Sequence, residues 1–155
     1  MTTADSQVAD VNQFGANPLD LWVERTGSRT YVGRNGRGAE VRIGPLENDG
    51  SFSPGELMKI ALAACTGLTT DVVLARRLGD DFKATIRVSG TKDLDADRYP
   101  LITEDLVIDL DRLDEKERTR LLTIVHRAAE EHCTVGRTLT AGTAVSLNVN
   151  GQSQH

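Results

Sequence analysis

The chain has 155 residues, a length that suits one compact domain. Aromatics make up only 4% of it and the formal net charge is -5, so both the stacking platforms and the basic patches of nucleic-acid binders are scarce, and no nucleic-acid partner is expected. The 39% of hydrophobic residues permit a core, built of Leu, Val, Ile and Ala.

Residues 1–18 are polar and lack the basic patch and apolar run of a secretion signal. They are expected to form a flexible arm ahead of a single domain over 19–155. No stretch reaches roughly 18 uninterrupted apolar residues, so no membrane partner is expected and a cytoplasmic location is. Thiols are kept reduced in that compartment, so Cys65 and Cys133 are a redox couple, part of a metal site, or inert core residues.

In chain order, Leu19–Thr26 and Arg29–Gly33 read as strands around a turn or bulge at Gly27-Ser28. Arg34-Asn35-Gly36 contains an Asn-Gly pair suited to positive φ, and the alternation in Ala39–Ile43 reads as a returning strand. Ser53-Pro54-Gly55-Glu56 is a helix start: Ser can cap the N3 amide, Pro suits the first position, and Glu can close a capping box. The helix is expected to run to a stop at Gly79 with Cys65 in its middle, and its first half, apolar nearly all round, is expected to be buried on most sides. Phe82–Val88 and Ile102–Leu110 alternate as half-buried strands. Asp114 and Glu117 open an amphipathic helix ending near His132; a short segment from Cys133 to Leu139 follows, and Val145, Leu147 and Val149 suggest a last strand before a polar tail, Gly151 to His155. The order strands, helix, strands, helix, strand is an α+β pattern, and no glycine-rich stretch has dinucleotide or phosphate-loop spacing, so no cofactor is expected.

Two motifs carry a resemblance. Ser53-Pro54-Gly55-Glu56-Leu57 leading to Ala63-Ala64-Cys65, and His132-Cys133-Thr134-Val135-Gly136-Arg137-Thr138-Leu139 sixty-eight residues on, resemble the two cysteine motifs of the OsmC/Ohr family of thiol peroxidases. The likeness extends from about Leu19 to Val149. It implies an OsmC-like fold, antiparallel sheets packed on two main helices in an intertwined homodimer, with active sites at the interface. It further implies a hydroperoxide substrate, Cys65 as the cysteine that attacks the peroxide, Cys133 as the one that then forms a disulfide, and a cellular dithiol as reductant.

A thiolate in apolar surroundings needs a nearby positive group. Arg29 is the candidate, because Thr26-Gly27-Ser28-Arg29 resembles the family's Thr-Gly-Gly-Arg, with Arg34 and Arg37 as fallbacks. Glu56 stands nine positions before Cys65, where hydroperoxide-resistance members place a Glu at ten; nine puts the two on opposite helix faces, roughly 13 Å apart along the axis, which suits a capping role and leaves a catalytic one open. Helix physics alone makes Cys133 the better thiolate, since it precedes a short helix while Cys65 lies mid-helix; the family order assigns the attack to Cys65. A metal held by His126, His132, His155 and the cysteines is not expected, because no zinc-type spacing is present. Two other functions are compatible with the sequence: a noncatalytic dimer binding an apolar small molecule at its interface, and a general disulfide-exchange protein.

Overall fold

The computed structural model describes residues 14–153, so the first thirteen residues of the expected arm lie outside the described part. From Phe14 the chain is held in place. The Phe14 ring stacks on Trp22 with 6.3 Å between centroids, and the Gly15 and Asn17 amides donate to the Asp20 carboxylate. The described residues form two compact units, one from residues 14–54 with 144–153 and the other from Gly55–Thr143.

In the first unit, β1 (Leu21–Gly27), β2 (Thr30–Asn35) and β3 (Glu40–Ile43) make an antiparallel sheet in that order. The pairing slips between Arg25 and Gly27, and Ser28-Arg29 closes the first hairpin. Arg29 is therefore a turn residue at φ 56° and not the first residue of a strand. At the second turn the positive φ falls on Gly38 (91°), not on the Asn-Gly pair. Asn35 works instead through its side chain, whose Oδ1 accepts from the Arg37 and Ala39 amides at 2.9 and 3.0 Å. Gly36 is needed because the main chain of Asn17 approaches so closely that a Cβ would collide with its carbonyl.

The strand expected over 145–149 shortens to β6 (Asn148–Val149), which pairs with β7 (Gln152–Ser153). Asn150 (φ 49°) and Gly151 (φ 75°) form the two-residue turn, so the Asn-Gly hairpin signal lies in what reads as a polar tail. Val145 and Leu147 are 92% and 79% exposed; their alternation meets no partner strand in the described chain.

The second unit is built on α1 (Pro54–Leu78), which begins and stops where the sequence predicts, Gly79 (φ 98°) returning its amide to the Ala75 carbonyl at 2.9 Å. Within the single chain α1 is buried along one side only. Its buried residues, Leu62, Ala63, Thr66, Thr70 and Leu74, form one stripe at helical spacing, while Leu68 and Val72 on the other side are 80% and 57% exposed. The helix is long and apolar enough to cross a bilayer by length and composition. Its buried stripe nevertheless includes two threonines, and Thr70 Oγ1 donates to the Thr66 carbonyl at 2.9 Å. Against the C-terminal half of α1 pack the antiparallel pair β4 (Ala84–Ser89) and β5 (Thr103–Ile108), and α2 (Glu115–His132).

The core of this unit is Leu74, Leu121 and Val125, with Phe82, Leu106 and Ile108 packed around them. The helix expected to open at Asp114 and Glu117 does so with a capping box: Asp114 Oδ1 accepts from the Glu117 amide at 2.8 Å and Glu117 Oε2 from the Asp114 amide at 3.1 Å. A second break follows at Cys133, and α3 spans Thr134–Ala141. Leu121 is 2% exposed at the centre of the core, so Leu121→Ala should lower unfolding free energy by about 2–5 kcal/mol, measured by urea denaturation. A loss below about 1 kcal/mol would mean that α2 is not packed as described.

Candidate active site

Cys133 is the joint between two helices. Its amide donates to the Ala129 carbonyl at 3.1 Å, the last bond of α2, and its carbonyl accepts from the Arg137 amide at 2.9 Å, the first bond of α3. Between them its backbone is extended (φ -75°, ψ 98°). Its Sγ accepts from the Gly136 amide at 3.3 Å, so the sulfur itself caps α3. The side chain is 2% exposed and touches Thr66 Oγ1 at 3.9 Å. A Cβ on Gly136 would stand 3.3 Å from Cys133 Sγ and 3.4 Å from Leu62 Cδ1, so glycine is what lets the first turn of α3 lie close against α1.

That close approach brings Cys133 beside Cys65, which is half-buried on α1. The Val135 amide holds the Cys65 thiol below its ordinary pKa; burial opposes this, and the Cys133 thiol, the Thr134 amide and the Thr69 hydroxyl assist. Cys133 is pushed the other way. Burial raises it, as does the neighbouring Cys65, against the Gly136 amide and Thr66 hydroxyl. The two thiols thus divide into one that ionises easily and one that holds its proton. This reverses the helix argument made from sequence: the amides of the first turn of α3 act across space on Cys65, while Cys133, although it caps α3, is the more deeply buried.

The hairpin arginines lie in the other unit. Arg34 is engaged by Glu24 (3.0 Å) and Glu40, and Arg37 Nη1 donates to the Pro18 carbonyl at 2.9 Å. Arg29 lies in the exposed turn and makes no ion pair or hydrogen bond among the described residues. Glu56 lies in the first turn of α1, the position expected of a capping residue. Among the described residues no group of His, Cys, Asp and Glu could hold a metal ion; His155 is outside them.

Beside Cys133 a cavity of about 560 Å³ opens, lined by Leu62, Thr66, Glu104, Glu130 and Arg137 among others. Glu104 is absent from the site as read from sequence. It stands on β5 at the parity of Leu106 and Ile108, the face turned toward the core. The signal was available in the chain: Ile102, Leu106, Ile108 and Leu110 alternate inward, and a carboxylate occupies the one remaining inward position.

Two measurements test this geometry. In iodoacetamide labelling followed by peptide mass analysis, Cys65 should alkylate at lower pH than Cys133, because the thiolate is the reacting species. Thr134→Pro should raise the pH at which Cys65 reacts while preserving α3, since proline suits the first helical position, the preceding Cys133 is already extended, and one amide donor is removed. An unchanged Cys65 profile in that variant would mean that the Thr134 amide does not act on the sulfur.

A family model described as OsmC-like protein matches residues 47–148, a segment that contains both cysteines. Uncharacterized proteins of Mycobacterium bovis and Mycobacterium tuberculosis are each 58% identical over 129 residues, covering 83% of this chain and 94% of the relative. The fold is similar to that of an OsmC-like protein from Mycoplasma pneumoniae (TM-score 0.60, 16% identity, covering 81% of this chain and 89% of that one). It is similar also to an OsmC-like protein of unknown function from Vibrio cholerae (TM-score 0.52, 15% identity, 72% and 79% covered). With its α+β architecture and both cysteine motifs inside the matched segment, the chain belongs to the OsmC-like family.

Proposed function

We propose that this protein is a cysteine-dependent peroxidase that reduces organic hydroperoxides or hydrogen peroxide through a sulfenic acid and disulfide cycle. The OsmC/Ohr family is one of peroxidase-type proteins. The observation that carries the reading to this chain is the pair Cys65 and Cys133, neighbours shifted in opposite directions. The Cys65 thiolate attacks one oxygen of the hydroperoxide; the O–O bond breaks, the other oxygen leaves as an alcohol or water after taking up a proton, and Cys65 is oxidised to sulfenic acid. Cys133 then attacks that sulfur, expelling water and closing a disulfide, which a cellular dithiol reduces. In this proposal Arg29, a hairpin arginine without an ion pair or hydrogen bond among the described residues, steadies the thiolate and the developing negative charge. The cycle requires a reducing compartment, and we place it in the cytoplasm.

The working form in this reading is a homodimer. Its support is the apolar surface the single chain leaves uncovered: Leu68 and Val72 on α1, and Leu21 (78% exposed) and Val23 (58%) on the sheet. These last two border a hollow of about 430 Å³ that also includes Val41 and Ile43. Sedimentation equilibrium should give the mass of two chains, and Leu68→Asp should shift the population toward one; a wild type that sediments as one chain at micromolar concentration would remove the dimer.

The peroxidase reading is tested by stopped-flow consumption of tert-butyl hydroperoxide by the reduced protein. Cys65→Ser should lose at least about 100-fold in rate, because a hydroxyl cannot replace the thiolate. Cys133→Ser should consume about one equivalent and accumulate a sulfenic acid at Cys65, seen by intact mass. Slow, equal oxidation of both cysteines would favour a noncatalytic dimer. Reaction with small disulfides as fast as with the peroxide would favour disulfide exchange.

A further inference from the structure

Glu104 occupies a place that physical chemistry disfavours. On β5 it is followed inward by Leu106 and Ile108, both packed on the core, and it pairs across the sheet with Val88 of β4. Its Oε1 is buried with no hydrogen-bond partner among the described residues. A buried carboxylate oxygen left unpaired costs stability, and a neutral or apolar side chain would fill this position at less cost. Such a group calls for an explanation in function. Glu104 lines the same cavity as Cys133, the thiol that must lose a proton when it attacks.

We propose that Glu104 is the proton acceptor for Cys133 when the disulfide closes. The inference rests on the peroxidase reading and assigns its second step. The Cys133 S–H bond breaks and its proton passes to Glu104, directly or through one water in the shared cavity. The Cys133 sulfur then forms the S–S bond with the Cys65 sulfenic sulfur as the S–O bond breaks. The departing hydroxide takes the proton back from Glu104 and leaves as water. Cys133 is oxidised, the sulfenic sulfur is reduced, and Glu104 ends the step as it began.

Cys133 needs this help because of where it lies. Buried at 2% exposure, it is poorly placed to lose its proton to bulk water. The remaining side chains on the cavity do not supply a better base. From α1 come Leu62 and Thr66, from α2 Ala129 and Glu130, and from α3 Arg137 and Thr140, so the other ionisable groups are Glu130 and Arg137. Glu130 lies on an exposed helix face, and Arg137 is a permanent cation whose Nη1 donates to the Glu131 carbonyl at 3.2 Å.

The test separates the two half-reactions. Reduced full-length wild type, Glu104→Gln and Glu104→Asp are each mixed with one equivalent of tert-butyl hydroperoxide, quenched into dimedone over a time course and analysed by intact mass. In Glu104→Gln the dimedone-trappable Cys65 should live about tenfold longer than in wild type, with the first oxidation within about twofold. Its disulfide rate should rise roughly tenfold per pH unit below the Cys133 pKa, as an unassisted thiol does, while wild type varies less. Glu104→Asp should recover part of the rate, and the thermal midpoint of Glu104→Gln should not fall, since the oxygen the substitution replaces has no hydrogen-bond partner to lose among the described residues. Wild-type sulfenic-acid lifetime and pH dependence in Glu104→Gln, or equal slowing in both variants, would overturn the assignment and leave the peroxidase reading standing. Failure of the wild type to form either sulfenic acid or disulfide would remove the peroxidase reading and this inference with it.

Discussion

The site depends on one change of chain direction, at Cys133. A mid-helix cysteine such as Cys65 has no main-chain donors of its own, because the amides around it are spent within α1. Donors have to come from another element, and the free amides at the start of a helix are the ones a protein has to spare. By leaving the helical conformation at a single residue, the chain ends α2 and restarts as α3, turning the Thr134 and Val135 amides toward the Cys65 sulfur. Gly136 completes the arrangement by omitting the Cβ that would press on Leu62 and on the Cys133 sulfur.

The same geometry separates the two sulfurs in character. Two neighbouring thiols do not both ionise freely, since the first negative charge opposes the second. The amides decide which ionises first, favouring Cys65, and burial keeps the proton on Cys133. A nucleophile and a protonated partner are what a sulfenic acid and disulfide cycle uses in succession. Glu104, which lines the same cavity as Cys133 and has one buried oxygen without a partner among the described residues, belongs with the second of those roles in our proposal.

Each unit of the single chain is unevenly covered. Leu74, Leu121 and Val125 are buried in the second unit, yet the outer side of α1 exposes Leu68 and Val72, and in the first unit the alternating residues Val145 and Leu147 pair with no strand among the described residues. These apolar patterns have the periodicity of core elements without a core to face. Their exposure motivates the proposed homodimer, in which a second copy would cover them.

Helix boundaries were legible from the chain because they are set by neighbours in sequence: Ser53-Pro54 and Gly79 delimit α1, and the reciprocal bonds of Asp114 and Glu117 start α2. Both cysteine motifs were legible for the same reason. Turn geometry was less so, since Asn35 acts through its side chain and Gly36 through a close contact with Asn17, whereas the positive-φ Asn-Gly turn appears at Asn150-Gly151. What the tertiary structure alone decided was the character of the two thiols and the surroundings of Glu104. Local sequence favoured Cys133 as the thiolate, because it counts only the helix that a residue precedes. A hydrogen bond acts over about 3 Å of space whatever the separation along the chain, and only the folded packing of α3 on α1 brings those amides to Cys65.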